Sequence, residues 1–88
     1  MKGRRTRKEW EAFLDQVKEA LGKMGIEYRE TSRIRKAGGL CVVRGRKVMI
    51  VNRFLDAQDK ADLVRKELSD VDLDGLFLRP EVRDFFGG

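Results

Sequence analysis

The sequence predicts a small α+β domain, with one antiparallel sheet of three to four strands, two main helices and a short C-terminal helix in the order α-β-β-β-α-β-α. Three observations carry this. Residues 10–24 place apolar side chains at helical spacing, residues 40–51 form two apolar tetrads around a basic turn, and residues 57–68 return to helical spacing. Strands gathered between helices, rather than alternating with them one by one, define the α+β class. The 88 residues suffice for one domain spanning 1–88.

Taken in order, residues 1–5 carry Lys2, Arg4 and Arg5 and are expected to form a mobile basic tip. Thr6 and Glu9 have the spacing of a capping box, so a helix begins there. Its inward stripe is Trp10, Phe13, Leu14, Val17, Leu21 and Met24, and Gly25 ends it. Ile26 to Thr31 alternates apolar and charged residues, as a half-buried strand does. A basic connection, Ser32 to Gly39, leads into the hairpin. With Gly45-Arg46 as a type II′ turn, Arg44 faces Lys47, Val43 faces Val48 and Leu40 faces Val51. Asp56 caps a second helix over 57–69, with Ala57, Ala61, Val64 and Leu68 as its narrow apolar stripe. Leu76-Phe77-Leu78 reads as a short buried strand. Pro80 opens the last helix, whose inward residues are Val82, Phe85 and Phe86.

Both faces of the hairpin are apolar. Cys41, Val43, Val48 and Ile50 share one, and Leu40, Val42, Met49 and Val51 share the other. An antiparallel sheet with one wet face alternates polar and apolar residues, so here each face needs a cover. Two helices can cover one face each, or both can share one face and leave the other to a partner. The face of Leu40, Val42, Met49 and Val51, with Arg44, Lys47 and Arg53 at its ends, is the expected partner-binding surface. Its occupant is a second copy, giving a homodimer, or an acidic protein.

Charge narrows the choice of partners. Residues 1–53 hold 15 Lys/Arg against 6 Asp/Glu, whereas residues 54–88 hold 5 against 9. A basic half meets either a polyanion or an acidic protein surface. Arg33, Arg35, Lys36, Arg44, Arg46 and Lys47 are the candidate phosphate contacts for nucleic acid. Tyr28 is the one aromatic residue in the predicted strands of this half, so base stacking is poorly supplied.

Several chemistries lack their residues. The chain has no histidine and a single cysteine, Cys41. There is accordingly no His general base, no histidine metal ligand and no internal disulfide. Cys41 lies mid-strand without a base beside it in sequence, and reads as a small core residue. No paired-carboxylate or phosphate-loop pattern occurs. The expectation is a protein without catalytic activity or cofactor. No apolar run approaches the roughly 20 residues that span a bilayer, and no signal-type segment follows the basic start. The expected location is the cytoplasm.

Three resemblances add to this reading. Asp70, Asp72, Asp74, Gly75 and Glu81 fit the D-x-[DN]-x-[DN]-G-x5-E spacing, which resembles an EF-hand calcium loop. The resemblance implies oxygen ligands from Asp70, Asp72, Asp74, the Leu76 carbonyl and Glu81. The helix entering an EF-hand is apolar where this chain has Asp62, Arg65, Lys66 and Ser69. Gly87-Gly88 resembles the tail of ubiquitin-like sulfur carriers, but it follows a helical segment directly and reads as a frayed helix cap. Finally, residues 39–86 resemble a family of small uncharacterised bacterial proteins. The shared features are Gly39-Leu40-Cys41, Asn52-Arg53 and Leu78-Arg79-Pro80-Glu81-Val82-Arg83. That resemblance implies no activity. It implies a structural corner at Leu78, Pro80 and Arg83, with Arg83 paired to Asp84 or to another carboxylate of the acidic loop.

Overall fold

The capping box forms as its spacing requires. The Glu9 amide donates to Thr6 Oγ1 at 3.2 Å and the Thr6 amide donates to Glu9 Oε1 at 2.7 Å. The computed structural model describes residues 5–87. Helix α1 runs Arg7–Lys23, strand β1 Glu27–Thr31, β2 Gly38–Val43, β3 Arg46–Asn52, α2 Ala57–Glu67 and α3 Pro80–Gly87. Lys2 and Arg4 of the basic tip, and Gly88, lie outside the described residues. Arg5 is described, and its guanidinium sits 3.9 Å from the Phe13 ring centroid and 4.8 Å from that of Trp10.

The class is α+β, and the sheet is mixed. β3 is central, antiparallel to β2 and parallel to β1, in the order β1-β3-β2. The antiparallel expectation fails at β1, because a basic connection of six residues returns the chain past β3 before the hairpin turns back beside it. The expected strand at 76–78 is not formed. Phe77 is 90% exposed, and the Leu76 carbonyl accepts from Arg83 Nη2 at 2.6 Å. Side chains thus take the place of a ladder there. Arg83 accordingly meets a carbonyl rather than the carboxylate implied by the family resemblance, while Pro80 does open α3.

The hairpin turn is Arg44-Gly45, with φ of 53° and 79°. Two positive φ values define type I′, whose twist suits paired strands. The expected type II′ turn one residue later is incorrect, and so are its pairs. Leu40 faces Met49, Val42 faces Lys47 and Val43 faces Arg46. The register moves by two residues, which preserves the side to which every residue points. Arg44 itself occupies a left-handed conformation that costs a residue with a Cβ about 1 kcal/mol or more.

The helices all lie on one side of the sheet, and the thinnest extent of the molecule is 17 Å. Phe13, Val17 and Leu21 of α1, Val64 of α2, Leu68 at the cap of α2 and Val82 of α3 close over Met49 and Val51 of β3. An end of this layer is polar. Tyr28 Oη donates to Glu30 Oε2 at 2.8 Å, and Lys60 Nζ donates to Glu30 Oε1 at 3.1 Å. Burial pushes the Glu30 carboxyl up, but the Tyr28 and Lys60 hydrogen bonds and the Lys60 and Lys18 charges outweigh it and hold it below its ordinary value. Burial, and then the neighbouring carboxylate, push the Tyr28 phenol far above its ordinary value. The network joins β1 to α1 through Lys18 and to α2 through Lys60.

Candidate nucleic-acid interface

Residue parity sets the two sheet faces. Leu40, Met49 and Val51 point to the helices, and Met49 and Val51 are fully buried. The surface expected to receive a partner is therefore mostly the core. Both hairpin faces are apolar, and the hairpin alone does not say which one the helices take. Val42 is the exception on that side, 67% exposed because it lies beyond the helix layer. Lys47 is paired opposite it. Arg53 follows β3, with its guanidinium 5.5 Å from the Phe54 ring centroid.

The opposite face has no helix over it, although Val48 at its middle is buried, and carries two grooves. One, of about 450 Å³, is lined by Ile34, Arg35, Lys36, Gly39, Cys41 and Ile50 and reaches the β2 edge of the sheet at Leu40. The other, of about 340 Å³, is lined by Glu27, Arg29, Val43, Arg44, Arg46 and Val48. No helix residue lines either groove. They mark the two ends of a face about 17 Å long, five strand steps of roughly 3.4 Å. Of the six candidate phosphate contacts, the fold thus brings Arg35 and Lys36 to one end and Arg44 and Arg46 to the other. Arg33 lies on the same loop as Arg35, and Lys47 leans to the helix side of the hairpin tip.

The loop that carries Arg33, Arg35 and Lys36 is fastened at several points. The Asn52 amide donates to the Ala37 carbonyl at 2.8 Å, and the Arg53 amide donates to the Thr31 carbonyl at 2.9 Å. Asn52 Nδ2 donates to the carbonyls of Lys36, at 3.1 Å, and Ile34, at 3.3 Å. Asn52 Oδ1 accepts from the Phe54 amide at 2.9 Å. One side chain therefore ties the basic loop to the end of the central strand. In the sequence Asn52 stands out only as part of an Asn-basic pair, which carries no sign of this role. Arg29, which Glu27 holds at 2.6 Å, was likewise absent from the predicted set.

Asn52→Ala is expected to cost about 1–3 kcal/mol, since it strands two loop carbonyls and one amide. The melting temperature should fall by roughly 5–20 °C, and the amides of 33–37 should exchange faster with solvent. Unchanged exchange over these residues would show that the loop is held without Asn52.

Charge at this site is uncompensated. Between Glu30 and Asp56 the sequence has seven basic residues, Arg33, Arg35, Lys36, Arg44, Arg46, Lys47 and Arg53, and no acidic one. None of the seven enters an ion pair among the described residues. Elsewhere Lys18, Lys60, Arg65 and Arg79 each have a carboxylate partner.

The calcium alternative is not supported. Asp70, Asp72, Asp74 and Glu81 are exposed, and Asp72 Oδ1 accepts from the Asp74 amide in a local turn. Among the described residues, no three Asp, Glu or Cys side chains converge as metal ligands. No helix among them is long and apolar enough to cross a membrane. Cys41, expected in the core, lies half-buried on the open face.

Fold and site together define a two-layer α+β domain with one open, basic sheet face. The chain matches no family model, no curated protein and no solved structure.

Proposed function

We propose that this chain is a non-catalytic nucleic-acid-binding module that grips phosphates with the open face of its sheet and its hairpin tip. The observation that carries the reading is the run of seven unpaired cations between Glu30 and Asp56. Clustered cations repel one another, and a polyanion relieves that repulsion while releasing its own counterions. Self-association through this face is disfavoured, because a two-fold axis would set two such clusters against each other. The groove floor of Ile34, Cys41 and Ile50 favours a second reading, the docking of an acidic protein.

Fluorescence anisotropy with labelled nucleic acid, read at low and moderate salt, tests the proposal. Five cations brought into the field of the phosphates, Arg33, Arg35, Lys36, Arg44 and Arg46, predict that affinity falls about 500-fold between 50 and 200 mM salt. The Arg35→Glu/Arg46→Glu variant should flatten the logarithmic salt slope by about two. No binding at low salt would overturn the reading and leave the acidic protein.

A further inference from the structure

We infer that the nucleic acid this face takes is double-stranded DNA, with the tip of the β2–β3 ribbon seated in the major groove. The inference rests on the phosphate-binding reading and adds to it the form of the nucleic acid and the element that enters it.

The first observation is an overhang. On the helix side, cover ends at Leu40 and Met49, since Val42 in the next pair is 67% exposed. On the open side Val43, the last residue of β2, is 41% exposed. The pairs Val42–Lys47 and Val43–Arg46, with the Arg44-Gly45 turn, therefore stand clear on both faces. Three strand steps project about 10 Å. The major groove of B-DNA is about 12 Å wide and 8.5 Å deep, and it admits a two-stranded ribbon. The major groove of duplex RNA is too narrow for side chains to read.

The second observation is the chemistry of the tip. Arg44 and Arg46 carry guanidinium forks suited to guanine O6 and N7, and the valines offer apolar surface to thymine methyl groups. The fastened loop stands at the far end of the face, where Arg35 and Lys36 meet the backbone and fix the orientation. The third observation concerns single strands. Their binders use aromatic platforms for the bases, and no aromatic side chain lines either groove. Tyr28 is turned to the helices. Phe54 is 74% exposed beyond the end of β3, under Arg53.

The test compares a labelled DNA duplex of mixed sequence, the matching RNA duplex and one DNA strand at a single salt concentration. The expected result is DNA duplex binding at least about tenfold tighter than either competitor. Guanine N7 atoms of the bound duplex should be protected from methylation by dimethyl sulfate. The Val42→Ser/Val43→Ser variant keeps every charge and alters exposed positions. It removes only the apolar contacts to thymine methyl groups, so it should weaken the preference for the DNA duplex while keeping the N7 protection by Arg44 and Arg46 and the salt slope. Comparable binding to all three without N7 protection would overturn the groove seat and leave the phosphate-binding reading standing. Tighter binding of RNA or of the single strand would also overturn it. Binding to none of the three would overturn both readings.

Discussion

Replacing Met49 by lysine is expected to unfold the domain rather than release a monomer. On a docking surface, the same change would separate two copies and leave each intact. Met49 instead lies in the central strand, flanked by Tyr28 and Leu40 and fully buried under the helices. A lysine there must bury a charge or give up its proton, and either outcome is costly without a partner. The milder Met49→Ala should cost about 2–5 kcal/mol through lost burial and the cavity left behind. Domains of this size have about 5–10 kcal/mol in total, and each kcal/mol moves the melting temperature by roughly 4–8 °C. A fall of about 10–30 °C is therefore expected for Met49→Ala, with no cooperative transition for Met49→Lys. Val42→Lys is the control, on the same side of the sheet but exposed, and should change stability by less than about 0.5 kcal/mol. Thermal melting followed by Trp10 fluorescence distinguishes these outcomes. A folded Met49→Lys monomer would show that the helices do not cover this face.

The contrast between Met49 and Val42 shows how far the sequence could be read. Helical spacing, the Thr6 box and the Asp56 cap placed α1 and α2 correctly, because these are local signals between neighbours in the chain. The hairpin was also legible, and the shift in its register was harmless because two residues restore the same side. The face taken by the helices was not legible. It follows from where β1 pairs, and a parallel partner reached through a loop leaves no local mark. Once β1 is set beside β3, Glu27 and Arg29 fall on the open side and Tyr28 on the helix side. That alternation would have identified the exposed face. Leu76-Phe77-Leu78 misled for a related reason. A short apolar run suits a strand only if an edge receives it, and here Lys23 and Arg83 satisfy its carbonyls instead. Of the candidate site, charge could be counted in the sequence. The fastening by Asn52 could not, since its partners lie 16 and 18 residues away.

Gly38→Ala is expected to damage fold and site together. Gly38 has φ of +133°, a region that side-chain-bearing residues avoid. A Cβ there would lie 2.0 Å from the Ile50 carbonyl oxygen, within the backbone of the central strand. No rotamer change relieves that clash, so β2 must move away from β3 where the two first pair. The Asn52–Ala37 bond and the two carbonyls held by Asn52 lie next to this point. The basic loop should therefore loosen as the strand does. A cost of about 3 kcal/mol or more is expected, with a melting temperature lower by roughly 10–25 °C and with faster amide exchange in the loop. Gly39→Ala is the matched comparison. Its Cβ would meet Glu67 Oε1 at 3.2 Å, the tip of a flexible side chain that accepts from the Leu40 amide at 2.8 Å. That carboxylate can shift by a few tenths of an ångström, so Gly39→Ala should cost about 1 kcal/mol. Equal losses in the two variants would mean that Gly38 does not set the join between loop and sheet. Unequal losses, with exchange rising in residues 33–37 only for Gly38→Ala, would tie the ordered basic loop to this one backbone position.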